Sequence, residues 1–210
     1  MTLFLIGNGF DLNCGMNTRF SDVYKEYVNS DSKSPIIEAF KREISSDMDR
    51  WSGFEMEMCE YAQSLNTEKE FVECVRDFSV YMREYLGREQ RLFFQKMNDD
   101  AKVKKIHDEM VDSFSDFYKG ISHNVDSTMR TRYAGSRRNV QAISFNYTEV
   151  FDYAMDKAFD QYSYRAPRVI HIHGKLDDDP TLGIDNENQW KAAYPLSRNG
   201  KRAFVKPFFN

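Results

Sequence analysis

The sequence predicts an α/β protein, a Rossmann-like parallel sheet carrying a large helical insertion. Three short apolar segments, residues 3–6, 140–145 and 168–173, are rich in β-branched or aromatic residues and run into glycine or polar residues at their C-terminal ends. A long charged stretch between the first two repeats its apolar residues at three- and four-residue steps, the mark of one-sided helices. A helical pattern also separates the second and third apolar segments, which makes a strand, a crossover helix and a parallel strand.

The first strand, residues 3–6, ends at once in Gly7-Asn8-Gly9, and Asp11 follows two residues later. Glycine leaves the backbone free to turn and lets a ligand approach with no Cβ in the way. A strand feeding such a turn and then a helix is how α/β nucleotide-binding proteins set amide groups against phosphate. In the insertion, roughly residues 20–135, Trp51, Phe54 and Met58 predict one helix, which carries Glu55 and Glu57. Phe71, Val75, Phe78, Met82 and Tyr85 predict a second, and Ile106, Met110, Phe114, Phe117 and Ile121 a third. Packing core is the expected role of these stripes. Lys102, Lys104 and Lys105 are expected on a solvated helix face.

Residues 135–139, Gly-Ser-Arg-Arg-Asn, read as a loop back to the sheet, and residues 140–145 as the second strand. Residues 148–162 read as the crossover helix, with Thr148 placed to cap its exposed amides. The third strand, residues 168–173, is followed by a loop-like tail from Asp177. One domain covering residues 1–210 is the expected organisation.

With 210 residues, 41% of them hydrophobic and 30% charged, the chain can bury a substantial core. A net charge of −4 argues against a general nucleic-acid binder. Cys14, Cys59 and Cys74 are odd in number and lack metal-site spacing, which fits a reducing compartment. No stretch approaches the ~20 apolar residues of a membrane span. The N-terminus lacks a basic segment and a cleavage site. A cytoplasmic protein is therefore expected.

In open α/β sheets ligands bind outside the carboxyl ends of the strands. Here those ends carry Gly7-Asn8-Gly9-Phe10-Asp11, Asn146-Tyr147-Thr148 and His173-Gly174. His173 can take or give a proton near neutral pH. His171, two residues earlier on a strand, would share its face. A His-x-His pair can also grip a divalent metal, with Asp11, Asp177, Asp178 and Asp185 as further ligands. No supporting ligand spacing accompanies it, so no metal is expected and a structural His171 is preferred. Asn146 can hold a ribose hydroxyl or a water, or cap the next helix. Asp11 can accept from a sugar hydroxyl, or cap the first helix. A Ser/His/Asp triad is disfavoured, because no Gly-x-Ser-x-Gly elbow exists.

With these residues assembled, the chain resembles the AbiH family of bacterial abortive-infection proteins. The resemblance rests on Gly7-Asn8-Gly9-Phe10-Asp11-Leu12, Gly15-Met16-Asn17-Thr18-Arg19-Phe20-Ser21-Asp22, and Trp51 with Glu55. Phe145-Asn146-Tyr147-Thr148, His171-Ile172-His173-Gly174 and Leu182-Gly183-Ile184-Asp185 complete it. That family is in turn similar to the sirtuin-like superfamily, which binds NAD. The resemblance implies NAD as substrate, hydrolysed to nicotinamide and ADP-ribose, with His173 and Asn146 as catalytic residues. It implies a nucleotide-binding set of Gly7, Asn8, Gly9, Phe10, Asp11, Thr18 and Thr148. In that scheme Asn146 orients water, His173 accepts its proton, and Asp11 or nearby dipoles stabilise an oxocarbenium-like ribose. A phage-derived trigger and a homo-oligomer formed through the helical insertion belong to the same expectation.

Departures from the pattern matter. Sirtuins carry an Asp where this chain has Thr148, and the zinc-binding cysteines of deacetylating sirtuins are absent, which argues against deacetylation. Related chains continue past the region of Lys206-Pro207 into another strand and a cofactor-contacting turn. The expectation is thus a sheet truncated at its C-terminus and an NAD site lacking that turn. Two other functions stay open: a nucleotide- or ADP-ribose-sensing module without turnover, and a metal-dependent phosphoesterase or nuclease.

Overall fold

The computed structural model describes residues 2–99, 101–115, 140–160, 168–177, 182–183 and 204. The expected loop at 135–139, and Phe117, Ile121, Tyr162, Asp178 and Asp185, lie outside the described residues. The described elements run β1 (Thr2–Ile6), α1 (Gly9–Asn13), α2 (Phe20–Tyr27), α3 (Pro35–Ser46) and α4 (Phe54–Tyr61), then α5 (Glu68–Asp99) and α6 (Ala101–Ser115). They finish with β2 (Val140–Ser144), α7 (Val150–Asp160) and β3 (Val169–His171). This is an α/β fold, mostly helical, with a small three-stranded parallel sheet and a helical insertion between β1 and β2.

The chain divides into two compact units. One joins Met1–Met16 to Glu89–Lys175, and the other joins Asn17–Arg88 to Leu176–Asn210. In the first unit β2 is central, paired in parallel with β1 through Thr2↔Val140 to Ile6↔Ser144 and with β3 through Ala142↔Val169 to Ser144↔His171. Strand side chains alternate between faces. One face turns Phe4, Ile6, Ala142 and Val169 toward Phe151 and Met155 of α7. Ala142 is completely buried, and its single methyl lets the helix approach the middle strand closely. Phe10, from α1, meets the Phe151 ring edge-on at 5.2 Å. The other face leaves Leu3, Leu5, Phe145 and Ile170 exposed.

Val150 of α7 packs with Cys14, Met16, Phe93 and Met97, while Ala154 and Ala158 pack against Val111 of α6. Burial pushes the Cys14 thiol up to about 12, with Asp11 adding to the shift, so Cys14 behaves as a core residue. Lys102, Lys104 and Lys105 are exposed on α6, as expected of a solvated face.

The second unit is built on aromatic rings. Phe78 of α5 stacks on Phe54 of α4 at 4.3 Å and meets Tyr24 and Tyr27 of α2 at 5.5 and 5.2 Å. Trp51 sits in a short 3-10 turn, Arg50–Gly53, rather than in the expected helix, and lies 5.4 Å from Phe40. Phe71, Phe78, Met82 and Tyr85 of the expected α5 stripe are buried, and Cys74 completes it. Ser34 starts α3 by accepting from the Ile37 amide, with Pro35 at the first helical position. No described helix is long and apolar enough to cross a membrane.

Candidate functional site

The ends of all three strands meet in one buried polar cluster of the first unit. Asp11, on α1 just past β1, is 1% exposed. One carboxylate oxygen accepts from Asn146 Nδ2 at 3.1 Å and the other from Thr148 Oγ1 at 2.6 Å. Neither Asp11 nor Asn146 serves as a helix cap, and the Thr148 hydroxyl donates to Asp11. Burial pushes the Asp11 carboxyl up to about 6, against the opposing pull of Thr148, Asn146 and His171. Ser144, the last residue of β2, accepts from the Asn146 amide at 3.1 Å and so shapes the strand exit.

The Asn146 side chain is decisive. Its NH2 group faces a carboxylate, so a flipped amide would set two acceptors together. Asp11 thereby forces the Asn146 Oδ1 atom to point the other way. That oxygen is buried and has no hydrogen-bond partner among the described residues. An unmet buried acceptor costs about 1–3 kcal/mol, so its persistence needs a reason beyond packing.

The two histidines part company. β3 ends at His171, not at residue 173, and Gly174 takes a φ of 77° in the bend that follows. The expectation that both imidazoles share one strand face is therefore corrected, because His173 has left the strand. The His173 ring lies edge-on to Phe145 at 5.9 Å and tilted against Tyr147 at 5.8 Å. His171 turns instead toward α7: its Nδ1 lies 2.8 Å from the Asn146 backbone carbonyl and its Nε2 2.8 Å from Asp152 Oδ2. Both nitrogens of His171 are committed to protein acceptors, which leaves no His-x-His grip on a metal. Among the described residues no three His, Cys, Asp or Glu side chains gather as a metal site.

Three charged residues at the site have no counterpart among the expected ones. Lys175 donates to Glu149 Oε1 at 2.6 Å and to Asp152 Oδ1 at 3.0 Å. Burial would raise Asp152, but the His171 hydrogen bond and charge, with Lys175, hold its carboxyl below the usual range. Burial would lower His171, but Asp152 and the Asn146 carbonyl carry it above the usual imidazole range. In sequence, Glu149 and Asp152 look like ordinary acids of a helix first turn, and Lys175 like a surface lysine. The available signal was the parity of β3, which sends His171 toward the helix-covered face.

Gly7, Asn8 and Gly9 are exposed, and a Cβ added at Gly7 or Gly9 would meet no atom within 4 Å. Neither glycine needs a positive φ, contrary to the first reason for expecting glycine there. Phe10 is half-buried in the core beside α7. Thr18 is buried and belongs to the second unit. Asp177 is exposed.

Fold and cluster together define an α/β protein with a polar site at the carboxyl ends of parallel strands. The family model described as Bacteriophage abortive infection AbiH matches residues 3–207. The chain belongs to that family, which places it among the bacteriophage abortive-infection proteins. No curated protein and no solved structure matches the chain.

Proposed function

We propose that this protein hydrolyses NAD to nicotinamide and ADP-ribose at a sirtuin-like site, as its part in abortive infection. The observation that carries the reading is the buried Asn146 Oδ1, held by Asp11 as an acceptor at the carboxyl end of β2. Such an atom suits a ribose hydroxyl or an attacking water, both of which bring an O–H donor. The N-glycosidic bond breaks with its electron pair going to nicotinamide, which leaves an oxocarbenium-like ribose. Water adds to the anomeric carbon and gives its proton to His173, and solvent then takes that proton. The Asp11 carboxylate contributes negative potential toward the developing cation and fixes the Asn146 amide. Gly7 and Gly9 offer an approach to the dinucleotide unobstructed by side chains, beside Asn8. A cytoplasmic location, a phage-derived trigger and self-association through the insertion complete the proposal.

The test is chromatographic detection of nicotinamide after incubation with NAD. Wild-type protein releases it, and Asn146→Ala and His173→Ala each slow release ~100-fold or more while remaining folded, Asn146→Ala with a lowered melting temperature because the buried Asp11 loses a donor. Full activity in both variants would overturn the assignment. Stabilisation by ADP-ribose with no turnover would identify a sensing module instead.

A further inference from the structure

We infer that Asp152 is a positioning residue, a staple that holds the His173 bend and, through His171, the Asn146 loop. The inference rests on the reading of His173 and Asn146 just given. One carboxylate spans the bend: Asp152 Oδ2 meets His171 Nε2 at 2.8 Å and Oδ1 meets Lys175 Nζ at 3.0 Å. Between those anchors lie Ile172, His173 and Gly174, the last at positive φ. His173 therefore sits on a short arch whose two feet stand on one side chain of α7. The other nitrogen of His171 reaches the Asn146 carbonyl at 2.8 Å, so the same staple reaches the β2 exit.

The geometry also sets the charge. A backbone carbonyl only accepts, so His171 Nδ1 carries a proton. Asp152 has Lys175 on its other oxygen and is ionised, so Nε2 carries a proton as well. With both ring nitrogens against acceptors, the geometry favours an imidazolium at His171, whose side chain is 3% exposed. Among the described residues, the charged groups around it are Asp152 on α7, Lys175 beyond the bend and Asp11 on α1, and Glu149 faces Lys175. Asn146 and Thr148 contribute no charge.

Two substitutions separate shape from charge. In Asp152→Asn the amide oxygen still accepts from Lys175, and the NH2 group donates to the Nε2 of a neutral His171 that keeps its Nδ1 proton. The arch stays and the imidazolium is lost. In Asp152→Ala both feet are cut. The experiment is NMR of the histidine side chains in the full chain, alongside nicotinamide release. In wild type, His171 shows two protonated ring nitrogens at pH 7, and the His173 ring protons carry the ring-current shifts of Phe145 and Tyr147. Asp152→Ala loses those His173 shifts and at least ten-fold in kcat, with KM for NAD changed less than three-fold. Asp152→Asn keeps the His173 shifts, shows a singly protonated His171 and retains most of kcat.

Unchanged His173 resonances in Asp152→Ala would overturn the staple. If that variant does not fold, Lys175→Met cuts one foot at a partly exposed position, and the same His173 readout decides. A wild-type protein that releases no nicotinamide, but whose His173 shifts depend on Asp152, would sink the NAD reading and leave the staple standing.

Discussion

Asp11→Asn should change how stability depends on pH. Asp11 is 1% exposed, and burial raises its carboxyl from 3.8 to about 6. A carboxyl with a raised folded pKa favours the native state most below its unfolded pKa. That contribution is lost as pH rises through the folded pKa. The two values differ by about 2 units, and each unit is worth ~1.4 kcal/mol, so wild type gives up about 3 kcal/mol in all from this residue, roughly 2.4 of it between pH 4 and 7. Asn cannot ionise, so the variant lacks this slope, whatever fixed amount it loses by setting an amide against Asn146 or Thr148. Urea unfolding at several pH values between 4 and 7.5 measures both proteins. The difference in unfolding free energy, variant minus wild type, should grow by roughly 2.4 kcal/mol across that range. A difference flat with pH would refute the claim that Asp11 is held in a dry site at a cost. The His171–Asp152 pair acts in the opposite sense on each side: its stabilisation fades as pH falls through the lowered Asp152 pKa or rises through the raised His171 pKa.

Phe78→Ala should destabilise the protein by about 3–5 kcal/mol in urea unfolding, because its ring is completely buried and stacked on Phe54. A loss below 1 kcal/mol would contradict its place at the centre of the aromatic core. Gly174→Ala should cost about 1–2 kcal/mol, since an L-residue resists the 77° φ, and the shift should appear in thermal melts. Gly7→Ala should leave the melting temperature unchanged, because the added methyl meets no atom within 4 Å. Under the proposed function it should weaken NAD binding in a titration, and unaltered affinity would remove the opening turn from the binding set.

The periodic signals were the most legible part of the chain. β1 and β2 fall within a residue of their expected ends, and α7 starts two residues after the expected position. A short apolar run closed by glycine or a polar residue reports a buried strand in its own local pattern. By sequence Ile172 and His173 extend the β-prone run, yet the chain leaves the strand after His171 and bends at Gly174. The Trp51-to-Phe54 spacing fits a helical face, yet the backbone there tightens to 3-10 geometry.

The sequence by itself determined the parallel α/β plan, the helical insertion and the identity of the polar residues at the strand ends. Each of these is written in short windows, as apolar period or as a residue type following a strand. Tertiary structure alone decided what those residues do to one another. Asp11 and Asn146 lie 135 positions apart, and only the pairing of β1 with β2 brings carboxylate and amide together and turns Asn146 Oδ1 away. The linking of His171 and Lys175 through Asp152 likewise depends on α7 packing across the sheet, a contact that no local spacing encodes.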